Sequence, residues 1–162
     1  MGYIGISEDR LHHILGVARK AYKIALERGH DEEFARKMFV LGWNHDIGYE
    51  FSTKSSEHAD ISANILSDAF YGGKEPWGNI GIDSIRAILK HGKYPIEETE
   101  EWIILNQADM QVDLKGNEVS VMRRLDDIKE RYGEFSDEYL TSCDICYRIN
   151  LTAVNLSENH TA

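Results

Sequence analysis

A chain of 162 residues with 42% hydrophobic side chains is sized for one domain that buries its core without staples, and two prolines and 13 glycines exclude a linker-rich or low-complexity protein. A formal charge of -10 with no dense basic stripe excludes a general nucleic-acid surface, and it disfavours a phosphate-ester enzyme unless bound cations and a few local Lys or Arg reverse the field in the pocket. The longest apolar run, residues 38–43, is too short to span a bilayer and no basic-then-apolar leader opens the chain, so a cytoplasmic protein is expected, with Cys143 and Cys146 as ordinary helical thiols.

Helical periodicity runs through the chain, and neither strand alternation nor an internal repeat interrupts it. Ser7 caps a first helix in which Leu11, Ile14, Leu15, Ala18, Tyr22 and Ala25 recur at helical spacing up to Gly29; His13 sits at the edge of that stripe and His12 points to solvent. Asp31 caps a second helix whose stripe of Ala35, Met38, Phe39 and Gly42 leads to His45-Asp46, with Gly42 and Gly48 read as sites of backbone crowding and turning. A loop over 49–55 carries Glu50 and Lys54. Ser56-Glu57 opens a third helix headed by His58, and a loop over 71–79 precedes a short fourth helix that carries His91 and ends at Gly92. Glu97, Glu98, Glu100 and Glu101 crowd the start of a fifth helix and are expected to form a solvated face there, while Asp109 lies at its inner end. A turn at Lys115-Gly116-Asn117 and helices over 119–132 and 137–154 follow. The expected architecture is an all-α, single-domain bundle of about six to seven helices over residues 1–156, with a polar tail over 157–162.

The residues that carry chemistry are His13, His45, Asp46, His58, His91 and Asp109, at inward or terminal positions of five helices. Imidazole nitrogen and carboxylate oxygen together suit a divalent first-row metal, and six such groups exceed the needs of one ion with an open position. Two ions sharing Asp46 would use all six. Taken singly, His58 or His91 reads more readily as a core histidine held by a backbone carbonyl, and Asp109 as a helix terminus or half of a salt bridge. The metal reading therefore requires the helices to converge.

The segments Arg10-Leu11-His12-His13, Leu41-Gly42-Trp43-Asn44-His45-Asp46-Ile47-Gly48, His58-Ala59-Asp60-Ile61-Ser62-Ala63, Ile88-Leu89-Lys90-His91 and Gln107-Ala108-Asp109 resemble the HD-domain superfamily of metal-dependent phosphohydrolases. The resemblance spans roughly residues 8–115 and implies an all-helical fold. It implies that His13, His45, Asp46 and Asp109 hold a first metal, and that His58 and His91 add ligands for a second, as in the dinuclear branch that includes bacterial dinucleoside-tetraphosphate hydrolases. It further implies two divalent ions, with iron first and manganese, zinc, nickel or magnesium as alternatives, and a small phosphorylated substrate such as a nucleotide. A homodimer is left open. Tyr49 stands where many relatives have Lys, so Glu50 or Lys54 is the expected replacement for that polar group, beside Asp46 as the catalytic set; Lys54, Lys90 and Lys93 are the cations expected near phosphate. The same six ligands would also serve a dinuclear iron oxygenase, or a non-catalytic sensor of a metal or nucleotide.

Overall fold

The computed structural model describes residues 5–71 and 80–149. Within them the chain forms seven α-helices: α1 (Glu8–Glu27), α2 (Glu32–Asn44), α3 (His58–Tyr71), α4 (Ile82–Leu89), α5 (Glu100–Asp109), α6 (Val121–Tyr132) and α7 (Asp137–Arg148). Five of them start where a short polar side chain takes up an orphan backbone N–H of the first turn: Ser7 accepts from Arg10, Asp31 from Phe34, Thr99 from Trp102, Ser120 from Arg123 and Ser136 from Tyr139. Among the described residues there is no strand, only an isolated bridge between Val112 and Glu118 that closes the turn around Gly116.

Helices α1, α2, α4 and α5 pack around one core of fully buried Val17, Met38, Leu41, Ile88, Trp102 and Leu105. The α1–α2 approach is close because Gly42 has no side chain: a Cβ there would stand 2.6 Å from the Ala18 Cα and 2.8 Å from its nitrogen. Helices α6 and α7 pair beside this core around Met110, Val121, Leu125 and Cys146. Burial in that small cluster pushes the Cys146 thiol up to about 12, so it stays protonated and inert.

Several boundaries differ from the sequence expectation. The 49–55 loop contains a 3-10 turn, Ile47–Phe51, and a second one at Ser55–Glu57 precedes α3, which begins at His58. Helix α4 ends at Leu89, so His91 lies in the turn beyond it and not on the helix. Helix α7 ends at Arg148; the rest of the helix expected to 154, the polar tail and the loop from 72 to 79 fall outside the described residues.

Of the acids at the start of α5, Glu97 and Glu98 are exposed as expected, while Glu100 and Glu101 are not a solvated face. Glu100 accepts from Arg28 Nε and Nη2 at 3.0 and 2.6 Å and pairs with His30 Nε2 at 2.7 Å, Glu101 is buried with Lys37 3.8 Å away, and Glu98 meets Arg148 at 2.9 Å. These pairs tie α5 to the α1–α2 turn and to α7, which periodicity within α5 alone does not reveal. Hydrogen bonds from Arg28 hold the Glu100 carboxyl at about 2, below its ordinary 4.5, against a smaller opposing effect of burial. A carboxyl depressed in the folded state stabilises the protein above pH 4.5 and loses that contribution as pH falls toward 2. Because the pair is about one-third exposed, Glu100→Gln is expected to cost only ~1 kcal/mol at neutral pH. The difference from wild type should shrink between pH 4.5 and 2 in chemical denaturation; a constant difference across that range would remove Glu100 as its source.

Candidate metal centre

Three of the four histidines are aimed by the same device. The Nδ1–H of His45 donates to the Gly42 carbonyl and that of His91 to the Ile88 carbonyl, both at 2.5 Å and both three residues back in the last turn of a helix, where carbonyls lack intrahelical partners. His13 Nδ1–H donates to the Asp113 carbonyl at 2.8 Å, so the turn after α5 orients a residue of α1. A carbonyl only accepts; each ring is therefore protonated on Nδ1 and presents Nε2 to the interior. The turn carrying His91 is itself clamped by α5: Trp102 Nε1 donates to the Lys90 carbonyl at 3.1 Å, and Asn106 Oδ1 accepts from Gly92 N at 2.8 Å.

The inward nitrogens converge on two carboxylates. Asp46 turns Oδ2 toward His13 Nε2 at 3.5 Å and His45 Nε2 at 3.3 Å, and turns Oδ1 toward His58 Nε2 at 3.3 Å and His91 Nε2 at 3.4 Å. Asp109 Oδ1 completes the first group, 3.1 Å from His13 Nε2 and 3.6 Å from His45 Nε2. Asp46 thus lies between two donor sets, His13–His45–Asp46 and Asp46–His58–His91, each compact enough for one ion. All six expected ligands are brought together. His58 and His91, which singly read as core histidines, stand 3.0 Å apart, Nε2 to Nε2.

The donor set fits divalent cations. Nitrogen and oxygen ligands ~2.1 Å from a common ion stand about 3.0–3.5 Å from one another, close to the 3.1–3.6 Å between the carboxylate oxygens and ring nitrogens here. His45 Nε2 and Asp109 Oδ1 are buried without a hydrogen-bond partner, an arrangement that costs free energy unless something positive sits between them. The electrostatics agree. Burial would raise the Asp46 and Asp109 carboxyls, but His45 beside the first and His13 beside the second hold both well below the usual carboxylate range. Burial opposes charge on His45, yet the same two carboxylates push it up to about 10; burial keeps His91 lowered and neutral. Two ionised carboxylates in this interior create a place for positive charge.

The centre opens into a cavity of about 590 Å³. Arg10, three residues before His13 and so on the same face of α1, donates from Nη1 to Asp46 Oδ2 at 3.1 Å while its guanidinium lies 4.1 Å over the Tyr49 ring. Tyr49 in turn stacks on His58 at 4.2 Å. Arg10 and Tyr49 line the cavity; Glu50 and Lys54, expected there, are exposed and do not, and of the expected cations only Lys93 lines it. Sequence reasoning gave Arg10 no role, although its spacing from His13 was the available signal. Arg124 and Arg131 of α6 also line the cavity, and their spacing of seven places them on one helix face.

The HD domain family model matches residues 10–114, a span that contains all six of these residues and more than half of the chain. No curated protein and no solved structure matches the chain. Converging imidazoles oriented by backbone carbonyls, a carboxylate that faces two donor sets, an all-helical scaffold and this match lead to one assignment: the chain belongs to the HD domain family.

Proposed function

We propose that the protein is a metal-dependent phosphohydrolase acting on a small phosphorylated molecule, with nucleotides as the favoured class and two divalent ions as the favoured cofactor. The observation that carries this reading is Asp46, whose two oxygens face separate sets of histidines. His13, His45, Asp46 and Asp109 would hold one ion and Asp46, His58 and His91 the other. Such a pair supplies Lewis acidity and a water whose pKa lies near neutrality.

The chain's own residues supply the rest. Arg10 sits at the cavity wall beside Asp46, with the remaining guanidinium N–H groups available to a phosphoryl oxygen, and stacking on Tyr49 restricts its swing. Arg10 takes the role for which Glu50 and Lys54 were the sequence candidates. Tyr49 braces His58 from the other side of the same ring. Lys93, Arg124 and Arg131 put three cations in a cavity whose lining also holds Asp127 and Glu138, in a protein of net charge -10; with the ions bound, the sum is positive and suits an anionic substrate.

Protein purified without chelator or added metal should carry first-row metal and release phosphate from members of a panel of nucleotides and dinucleoside polyphosphates. Metal-loaded protein that consumes dioxygen on some substrate and releases no phosphate would replace this reading by the iron oxygenase.

A further inference from the structure

Helices α6 and α7 begin after the family match ends at residue 114, yet they form one wall of the cavity over the metal centre. Residues 124, 127, 128 and 131 of α6 face the cavity, a spacing of three, four and seven that is one side of a helix. This side carries two arginines. Arg124 is nine-tenths buried, and its one hydrogen bond is from Nε to the Asp109 carbonyl at 3.4 Å. Among the described residues no carboxylate stands within ion-pair distance of Arg124, of Arg131 one helical repeat further out, or of Lys93, which also lines the cavity; Asp113 acts on Arg124 only from beyond that distance. Two acids also line this part of the cavity: Asp127 lies 3.5 Å from Arg123, a residue 68% exposed, and Glu138 is in the first turn of α7. Burying an arginine without a carboxylate partner is costly, and the cost is recovered when an anion binds.

We infer that the cavity face of α6 binds a second anionic group of the substrate, outward from the phosphate held at the metal centre, so that the preferred substrate carries a di- or polyphosphate chain rather than a single phosphate. The inference rests on the phosphohydrolase reading for the identity of the inner group. The hydrogen bond from Arg124 to the backbone of Asp109 joins the outer site to the inner one, and the row from Arg124 to Arg131 leads outward along the helix. A chain of linked phosphates carries several charges and can meet buried Arg124 and exposed Arg131 together, with Lys93 in the same cavity. An orthophosphate at the metal centre reaches at most the first.

The test uses the metal-loaded full-length protein and two inorganic probes, tripolyphosphate and orthophosphate, titrated by calorimetry with metal content measured before and after. Wild type is expected to bind tripolyphosphate about tenfold more tightly or better. Arg131→Gln should cut that ratio several-fold without altering metal content, and Arg124→Gln should cut it further. Arg36→Gln, which removes an exposed cation of α2 outside the cavity, should leave it unchanged. Arg131 is exposed, so its variant decides the matter even if the replacement of buried Arg124 unfolds the protein. Equal affinity of wild type for the two probes, or a ratio untouched by Arg131→Gln, overturns the inference. The ratio without phosphate release from any ester keeps the outer anion site and removes the hydrolase reading; phosphate release with a ratio of one does the reverse.

Discussion

Asp46→Ala is expected to leave a folded protein that holds almost no metal and turns over on the order of a thousandfold more slowly, because several kcal/mol of transition-state stabilisation go with the ions. The magnitude follows from position. Among the described residues Asp46 is the one whose oxygens face both donor sets, so its loss is expected to empty both, whereas His58→Ala removes a donor from only the second. Metal stoichiometry should therefore fall in steps, from about two ions per chain in wild type to about one in His58→Ala and about none in Asp46→Ala. The fold should survive at lower stability, since without metal the ionised Asp46 is held by Arg10 and the four surrounding histidines, and its removal leaves those buried groups without that partner. Elemental analysis beside thermal unfolding reads both quantities. Wild-type stoichiometry in His58→Ala would contradict the second ion, and full metal content in Asp46→Ala would contradict the centre itself.

Gly48→Ala is expected to be the most destabilising small change near the site, by about 3 kcal/mol or more. A Cβ at Gly48 would overlap the backbone carbonyl oxygen of His58 and stand 2.8 Å from both Ser62 N and Ser62 Oγ. None of these is the tip of a flexible chain. The Gly48 N–H also donates to Ser62 Oγ at 2.7 Å, and its carbonyl accepts from Ser52 Oγ, which locks the 3-10 turn onto the start of α3. Pushing α3 away carries His58 from Asp46. The variant should therefore lose on the order of 6–12 °C in melting temperature and, where it folds, bind one metal ion fewer. Gly42→Ala is the useful contrast: it collides with the Ala18 backbone, loosens α1 against α2, and so disturbs the set containing His13 and His45. Equal effects of both variants on both ions would show that crowding at these glycines is not what positions the histidines.

Both glycines were readable as crowded positions before any coordinates, from their places on either side of His45-Asp46. What they crowd against was not. The Gly48 neighbour is ten residues away across a loop, and the Gly42 neighbour lies on a different helix. The acids of α5 show the same limit in reverse. Read along their own helix, Glu100 and Glu101 look like dipole-complementing surface residues, and only the arrival of Arg28, His30 and Lys37 from elsewhere makes them structural pairs. Glu50 and Lys54 looked well placed by their distance in sequence from Asp46, yet the 3-10 turn at Ile47–Phe51 leaves both exposed and outside the cavity lining, and Arg10 stands at its wall.

The residue order alone determined the helical class, the helix starts at Ser7 and Asp31, and the six residues with metal-ligand chemistry, because helix periodicity, capping and donor type are local properties of the chain. Tertiary structure decided that these six meet, which ring nitrogen each of His13, His45 and His91 presents, and which cations share their cavity. Those outcomes depend on contacts between segments up to a hundred residues apart, such as His13 with the Asp113 carbonyl, and no local pattern specifies them.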